Sequence, residues 1–193
     1  MSRRHIHYEA AFEDYLRSQG TPYLAVDEKK RAIFSGAKVK SFDFLVYRPN
    51  GCTCLIDVKG RKFPSGSGTS KRYWENWVTQ DDLDGLGKWQ DVFGSGFESA
   101  LVFAYWLVGT PDRYPTTRIH PFRGQYYAFM YVSLDAYRQH CRVRSPKWKT
   151  VTVPGRTFRD LAVPIQATFD VADNPAAIKP MRDQGHRDAR SLG

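Results

Sequence analysis

Three cysteines in 193 residues are too few, and too unevenly spaced, to staple a fold. Cys52, Cys54 and Cys141 form neither an even framework nor a paired zinc spacing. A disulfide scaffold is therefore excluded, and a reducing, cytoplasmic setting is expected. No apolar run reaches the roughly 20 residues of a membrane helix. Met1-Ser2-Arg3-Arg4-His5 lacks the apolar centre of a signal peptide, so no membrane partner is expected. Internal repeats, a phosphate-binding P-loop and a dinucleotide fingerprint are also absent. Ser65, Ser67 and Ser70 have no strand–turn–helix context for a nucleophile elbow. His5 and His7 form an H-x-H pair with no third ligand at helical spacing, so no zinc site is expected there.

What the chain does have is a core and a charge. A hydrophobic fraction of 41% and an aromatic fraction of 15% suit one globular domain, expected over residues 1–168, with a polar, disordered tail over 169–193. The formal net charge is +9. Three basic stretches carry it: Lys29 to Lys40, including Lys38; Lys59, Arg61, Lys62, Lys71 and Arg72; and Arg138 to Arg159, including Arg142, Arg144 and Lys147. Such segments favour a polyanionic partner through counterion release, with nucleic acid the first expectation.

The centre of the chain is a hairpin. Two apolar, β-rich runs flank Pro49-Asn50-Gly51. A three-residue loop with Gly51 in the left-handed region pairs Arg48 with Cys52. Counting back along both strands then sets Asp43 opposite Asp57. Lys59 shares their face, because side chains alternate with period two. Phe42, Phe44 and Val46, with Cys54, Ile56 and Val58, are expected on the other face, and Cys52 should point the same way. Two opposed carboxylates repel. A divalent cation such as Mg²⁺ would relieve them. The bland alternative is a solvated face with ordinary surface charges.

Around the hairpin, Tyr8 to Gln19 has helical periodicity and ends at Gly20, with Glu9 and Glu13 one turn apart beside its apolar stripe. Thr21–Val26 and Ala32–Phe34 are expected as short strands. Gly60 to Arg72 is rich in Gly, Ser and Pro and is expected as a mobile basic loop. Tyr73, Trp74 and Trp77 follow it; they can pack on the core or stack on bases. Thr79-Gln80-Asp81-Asp82 is a capping box opening a helix whose stripe holds Leu83, Leu86, Gln90 and Phe93. Gln90 is a polar residue on that stripe, either satisfied structurally or reaching a site. Ser99–Val108 has the near-continuous apolar run of a central strand. After a loop over Gly109–Arg123, Gln125–Val132 is expected as a strand and Ser133 as the start of a short helix. Arg142–Lys149 follows as a basic turn and Thr150–Val153 as an edge strand.

Helix with glutamate, strand, hairpin bearing Asp then Asp57-Val58-Lys59, helix, buried strand: over roughly Tyr8 to Val108 this order resembles the PD-(D/E)xK nuclease superfamily, the restriction-endonuclease-like fold that includes archaeal Holliday-junction resolvases. Phe42 stands where the motif's proline would be. The resemblance implies an α/β fold, a mixed central sheet flanked by helices, with the antiparallel hairpin carrying the motif. It implies a metal-dependent endonuclease on DNA with Mg²⁺, or Mn²⁺ in its place, as cofactor. Asp43, Asp57, the Val58 carbonyl and Glu9 would hold the metal, with Glu13 the rival to Glu9. Lys59 would position the attacking water and stabilise charge. Gln90 would match a glutamine that some members place on the following helix. A homodimer is expected if both strands of a duplex are cut together. Lys38, Lys40, Arg61, Lys62, Lys71, Arg72, Arg142, Arg144 and Lys147 would grip phosphates. The competing readings are a non-catalytic nucleic-acid-binding protein that retains the fold, and an interaction protein with an acidic partner.

Overall fold

The computed structural model describes residues 6–26, 32–34, 37–48, 51–65, 74–109 and 119–169. Helix α1 spans Ile6–Ser18 and turns at Gly20, whose φ of 63° is adopted most easily without a Cβ. Strand β1 (Tyr23–Ala25) is followed by the small ribbon β2 (Ala32–Phe34) and β3 (Ala37–Val39). The hairpin is β4 (Phe44–Tyr47) and β5 (Thr53–Phe63). Its register is Phe44 with Ile56 through Tyr47 with Thr53. Arg48 N–H donates to the Cys52 carbonyl at 3.0 Å, and Gly51 takes φ 81°. The regular pairing stops at Phe44 with Ile56, one step short of the expected Asp43–Asp57 pair, because the Asp43 N–H bonds the Ile56 carbonyl at 2.9 Å instead.

Strand β6 (Val78–Thr79) leads into α2 (Gln80–Phe93), and the chain returns as β7 (Phe97–Leu107). Strands β5 and β7 pair in parallel, from Thr53 with Phe97 to Phe63 with Leu107, a pairing that needs a crossover; α2 supplies it. Then come β8 (His120–Phe122), β9 (Gln125–Ser133) and α3 (Leu134–His140), which Ser133 caps. Strands β10 (Arg142–Ser145) and β11 (Thr150–Thr152) precede α4 (Gly155–Leu161), β12 (Val163–Pro164) and α5 (Gln166–Phe169). The main sheet runs β1-β4-β5-β7-β9-β12, with β8 on β9, and among the described residues only β5–β7 is parallel. A separate three-stranded sheet runs β10-β11-β6.

Both faces of the main sheet are covered, which is why β7 is apolar from Ala100 to Leu107. On one face Phe12 and Leu16 of α1 pack with Phe44, Val46, Cys54, Ile56 and Val58. On the other, Leu83 and Leu86 of α2 pack with Leu45, Leu55, Leu101 and Phe103. Each such side chain contributes roughly 1.5–3 kcal/mol. The fold is the expected mixed α/β sheet flanked by helices. Among the described residues no helix is long and apolar enough to cross a membrane.

The structure corrects several expectations. Phe42 lies on the α2 face, edge-on to Trp89 at 5.3 Å, because the chain bends at Asp43 before β4 begins and the alternation stops there. Cys54 is buried, whereas Cys52 is only half-buried beside the turn. Gly60 to Phe63 are strand rather than loop, since β7 pairs them to their end. His120–Phe122 and Arg142–Ser145 are likewise strands, and β11 is the middle strand of its sheet. Phe169 is buried at 6% exposure with the core, not the start of a tail; the tail from residue 170 on lies outside the described residues.

Candidate active site

The site begins where the hairpin ends. Strand β4 starts only at Phe44, so past that point one side of β5 faces a gap in the sheet. Asp43 sits at the gap, tied in by its own backbone: its N–H donates to the Ile56 carbonyl at 2.9 Å and its carbonyl accepts from Val26 N–H at 2.8 Å. Its side chain substitutes for the missing strand, Oδ2 accepting the Val58 N–H at 2.6 Å. A strand residue directs its N–H and C=O to the same neighbour, so the Val58 carbonyl faces the same gap. Asp43 Oδ1 is buried and has no hydrogen-bond partner.

Asp57 and Lys59 project from β5 toward α2. The Lys59 ammonium donates to Asp57, with Oδ2 at 2.6 Å and Oδ1 at 2.8 Å, and stands 3.1 Å from Asp82 Oδ1. Asp82 comes from the first turn of α2. Its carboxylate accepts the Thr79 N–H at 2.7 Å while Asp82 N–H donates to Thr79 Oγ1 at 3.1 Å, the reciprocal capping box. The Lys40 ammonium bonds the same Asp82 oxygen that faces Lys59. Asp43, Asp57 and Asp82 are all at most 5% exposed, so the ordinary solvated face does not exist here.

Burial and crowding set the charges. Desolvation raises the Asp43 carboxyl well above the usual range, and the neighbouring Asp57 and Glu9 charges add to it. Burial raises Asp57 too, against the pull of Lys59. Burial lowers Lys59, but Asp57 and Asp82 outweigh it and keep the ammonium charged beyond its ordinary value. Asp82 is pushed up by burial and down more strongly by Lys59 and Lys40, ending below the carboxylate range.

Glu9 reaches the cluster through α1, close enough for its charge to act on Asp43. The helix is set by Tyr8, whose ring lies against Gly60; a Cβ there would collide with the ring, so glycine next to Lys59 is what lets α1 approach β5. The rival Glu13 is engaged elsewhere, accepting from Tyr23 Oη at 2.8 Å and Arg17 at 3.1 Å.

Other expected residues fall elsewhere. Gln90 does not join the acids: its Oε1 accepts the Ser99 N–H at 2.8 Å, two rungs back along β7 from the residue paired with Asp57. Arg61 is no free phosphate grip. At 8% exposure it donates to the Gly60 carbonyl at 2.7 Å and to the Trp77 carbonyl, and its guanidinium lies 4.1 Å from the centre of the Trp77 ring. Lys40 is paired with Asp82, so it serves the acids first. Lys62 is exposed on the opposite face, 5.9 Å from the Trp106 ring centre. Arg142, Arg144 and Lys147 are exposed on the β10–β11 hairpin. The side chain of Lys38, and Lys71, Arg72 and His5 altogether, lie outside the described residues. His7 Nδ1 is 2.9 Å from Tyr127 Oη. Asp82 was the residue the sequence hid: its capping box was legible, but not that this box is folded against Lys59.

The acids also suit a divalent cation in kind. Asp43 offers an unpartnered buried oxygen beside a second carboxylate and a backbone carbonyl, the hard oxygen donors such ions take. Among the described residues, however, no three His, Cys, Asp or Glu side chains already converge on one point; Asp57 and Asp82 are both drawn to Lys59.

Comparison with known proteins places the fold. No family profile matches the chain, and no curated protein matches by sequence. Solved structures do. One is the structure of Hjc from Archaeoglobus fulgidus, a Holliday junction resolvase from an archaeal hyperthermophile, at 14% identity and a TM-score of 0.50, over 84% of this chain and 98% of that one. The fold is therefore restriction-endonuclease-like.

Proposed function

We propose that the protein is a metal-dependent nuclease that hydrolyses phosphodiester bonds, acting as an endonuclease on DNA. The observation that carries this reading is the buried Asp43–Asp57–Lys59 cluster beside Glu9 at the open edge of the hairpin, in a fold similar to a resolvase. Burying two neighbouring carboxylates is costly unless something compensates them. Asp43, Asp57, the Val58 carbonyl and Glu9 would hold Mg²⁺ or Mn²⁺, which supplies a Lewis acid for the phosphoryl oxygen.

The chain's own residues do the rest. Lys59 is kept as an ammonium by Asp57 and Asp82, so it donates rather than acting as a base. It can orient the attacking water and offset the charge that builds on phosphorus. Asp82 fixes Lys59 from the helix side, and Lys40 balances Asp82. Gln90 supports β7 and takes no part in this scheme.

One observation favours a second reading, a nucleic-acid-binding protein that retains the fold without cleavage: Lys59 and Lys40 pair with Asp57 and Asp82. The test is cleavage of circular single-stranded, circular duplex and branched DNA with Mg²⁺ or Mn²⁺, comparing wild type with Asp57→Ala and Lys59→Ala. Metal-dependent cutting lost in both variants supports the nuclease. Intact substrates under every condition, RNA included, with binding retained, would replace it by the second reading.

A further inference from the structure

With Lys40 and Arg61 committed to buried partners, the strongest described basic surface beside the site is the β10–β11 hairpin. Arg142 to Lys149 holds four cations and no acid. Its turn is well defined: Lys149 N–H donates to the Pro146 carbonyl at 3.2 Å, and Trp148 N–H to Ser145 Oγ at 3.4 Å. At its tip the Trp148 side chain is 70% exposed, with the Lys147 ammonium 5.5 Å from its ring centre. At its base the Arg144 guanidinium lies 5.1 Å from the Trp77 ring centre.

The hairpin is anchored to the site. Thr150 pairs with Thr79, the N-cap of α2, and the Lys149 carbonyl accepts the Gln80 N–H at 2.8 Å, two residues before Asp82. An indole this exposed contributes little to the core, and its surroundings repel any cationic partner. Positive charge beside a free aromatic face is the chemistry that takes a phosphate backbone and its bases together.

We propose that Trp148 is a stacking platform for an unpaired base, so that the β10–β11 hairpin directs the protein to nucleic acid with a single-stranded segment next to the cleavage site. This deepens the nuclease reading and rests on its nucleic-acid partner, not on cleavage. The preference for unpaired bases follows from energetics. In a closed duplex, a stack on Trp148 must replace an existing base stack, so little is gained; a base already unpaired gains the whole contact.

The experiment is fluorescence anisotropy in EDTA, so that no cleavage occurs, using fluorescein-labelled single-stranded, forked and flush-ended duplex oligonucleotides of equal length. Wild type is expected to bind the single-stranded and forked probes more tightly than the flush duplex. Trp148→Ala should weaken those two by about 5- to 150-fold, the equivalent of one base–aromatic stack of ~1–3 kcal/mol, while changing the flush duplex by less than about two-fold. Trp148→Phe should retain most of the affinity. Equal weakening on all probes, or none on any, would overturn the proposal. The nuclease reading fails separately, in the cleavage assay with Asp57→Ala and Lys59→Ala.

Discussion

Replacing Asp43 with Asn should make the protein more stable and remove its proposed activity. Asp43 is 5% exposed, and only one of its oxygens has a partner, the Val58 N–H. The other is unpaired and faces the field of Asp57 and Glu9. Asn keeps an oxygen for Val58 and gains an N–H₂ that can donate to a carboxylate. Removing an uncompensated buried acceptor and a like-charge contact is worth about 1–3 kcal/mol. At roughly 2–4 °C per kcal/mol for a domain of this size, the melting temperature should rise by about 2–12 °C at neutral pH. The sign with pH follows from linkage. A carboxyl raised in the folded state binds its proton more tightly there than in the unfolded chain, so wild type gains stability as pH falls through that raised value. The advantage of Asp43→Asn should therefore be largest above it and fade on acidification. Thermal melts of both proteins across pH, with and without Mg²⁺, test this. Mg²⁺ should stabilise wild type by mass action and Asp43→Asn much less. A variant that is less stable than wild type at neutral pH would refute the electrostatic argument, and equal Mg²⁺ stabilisation of both would refute the metal assignment.

Asp82→Asn should keep most of the capping box but leave Lys59 with one carboxylate, lowering kcat about 10- to 100-fold with little effect on KM. Because Asp82 is held below the usual carboxylate range, its stabilisation is present above its unfolded value near 3.9 and is lost as pH falls through its lower folded value. Urea melts should accordingly show a deficit of about 1–3 kcal/mol at neutral pH that closes in acid; wild-type stability and turnover would reduce Asp82 to a helix cap. Arg61→Ala should destabilise by about 1–3 kcal/mol, through the Gly60 and Trp77 carbonyls left unpaired. It should change nucleic-acid affinity little, whereas Arg142→Ala should leave melting unchanged and reduce the salt slope of binding by ~1. The opposite pattern in anisotropy titrations would return Arg61 to the binding surface.

Local chemistry carried the sequence reading far at the hairpin and at α2. Pro49-Asn50-Gly51 sets a loop length, and the loop length sets the register from Tyr47 with Thr53 to Phe44 with Ile56, which brings Asp43 to the edge beside Asp57 without any knowledge of the rest of the chain. Thr79 and Asp82 cap α2 by a contact three residues apart, again a local matter. Readings that needed distant partners fared differently. Phe42 was placed by alternation, and a bend at Asp43 defeated it. Arg61 and Lys40 looked like free cations because their partners, the Trp77 carbonyl and Asp82, lie 16 and 42 residues away. Gln90 stood at a plausible position on its helix, and the Ser99 N–H claimed it.

What the sequence by itself determined is whatever short-range geometry dictates: α1, α2 and the apolar strands, the hairpin register, the helix cap and the sign of the net charge. What only the tertiary structure decided is which charges are buried together. The packing of α2 on β5 brings Asp82 to Lys59, and Gly60 admits Tyr8 so that α1 carries Glu9 toward Asp43. Strand β4 starting one residue late leaves Asp43 to fill the gap in the sheet. Those outcomes depend on desolvation and on contacts between segments far apart in the chain, and neither is encoded in the spacing of residues along a strand.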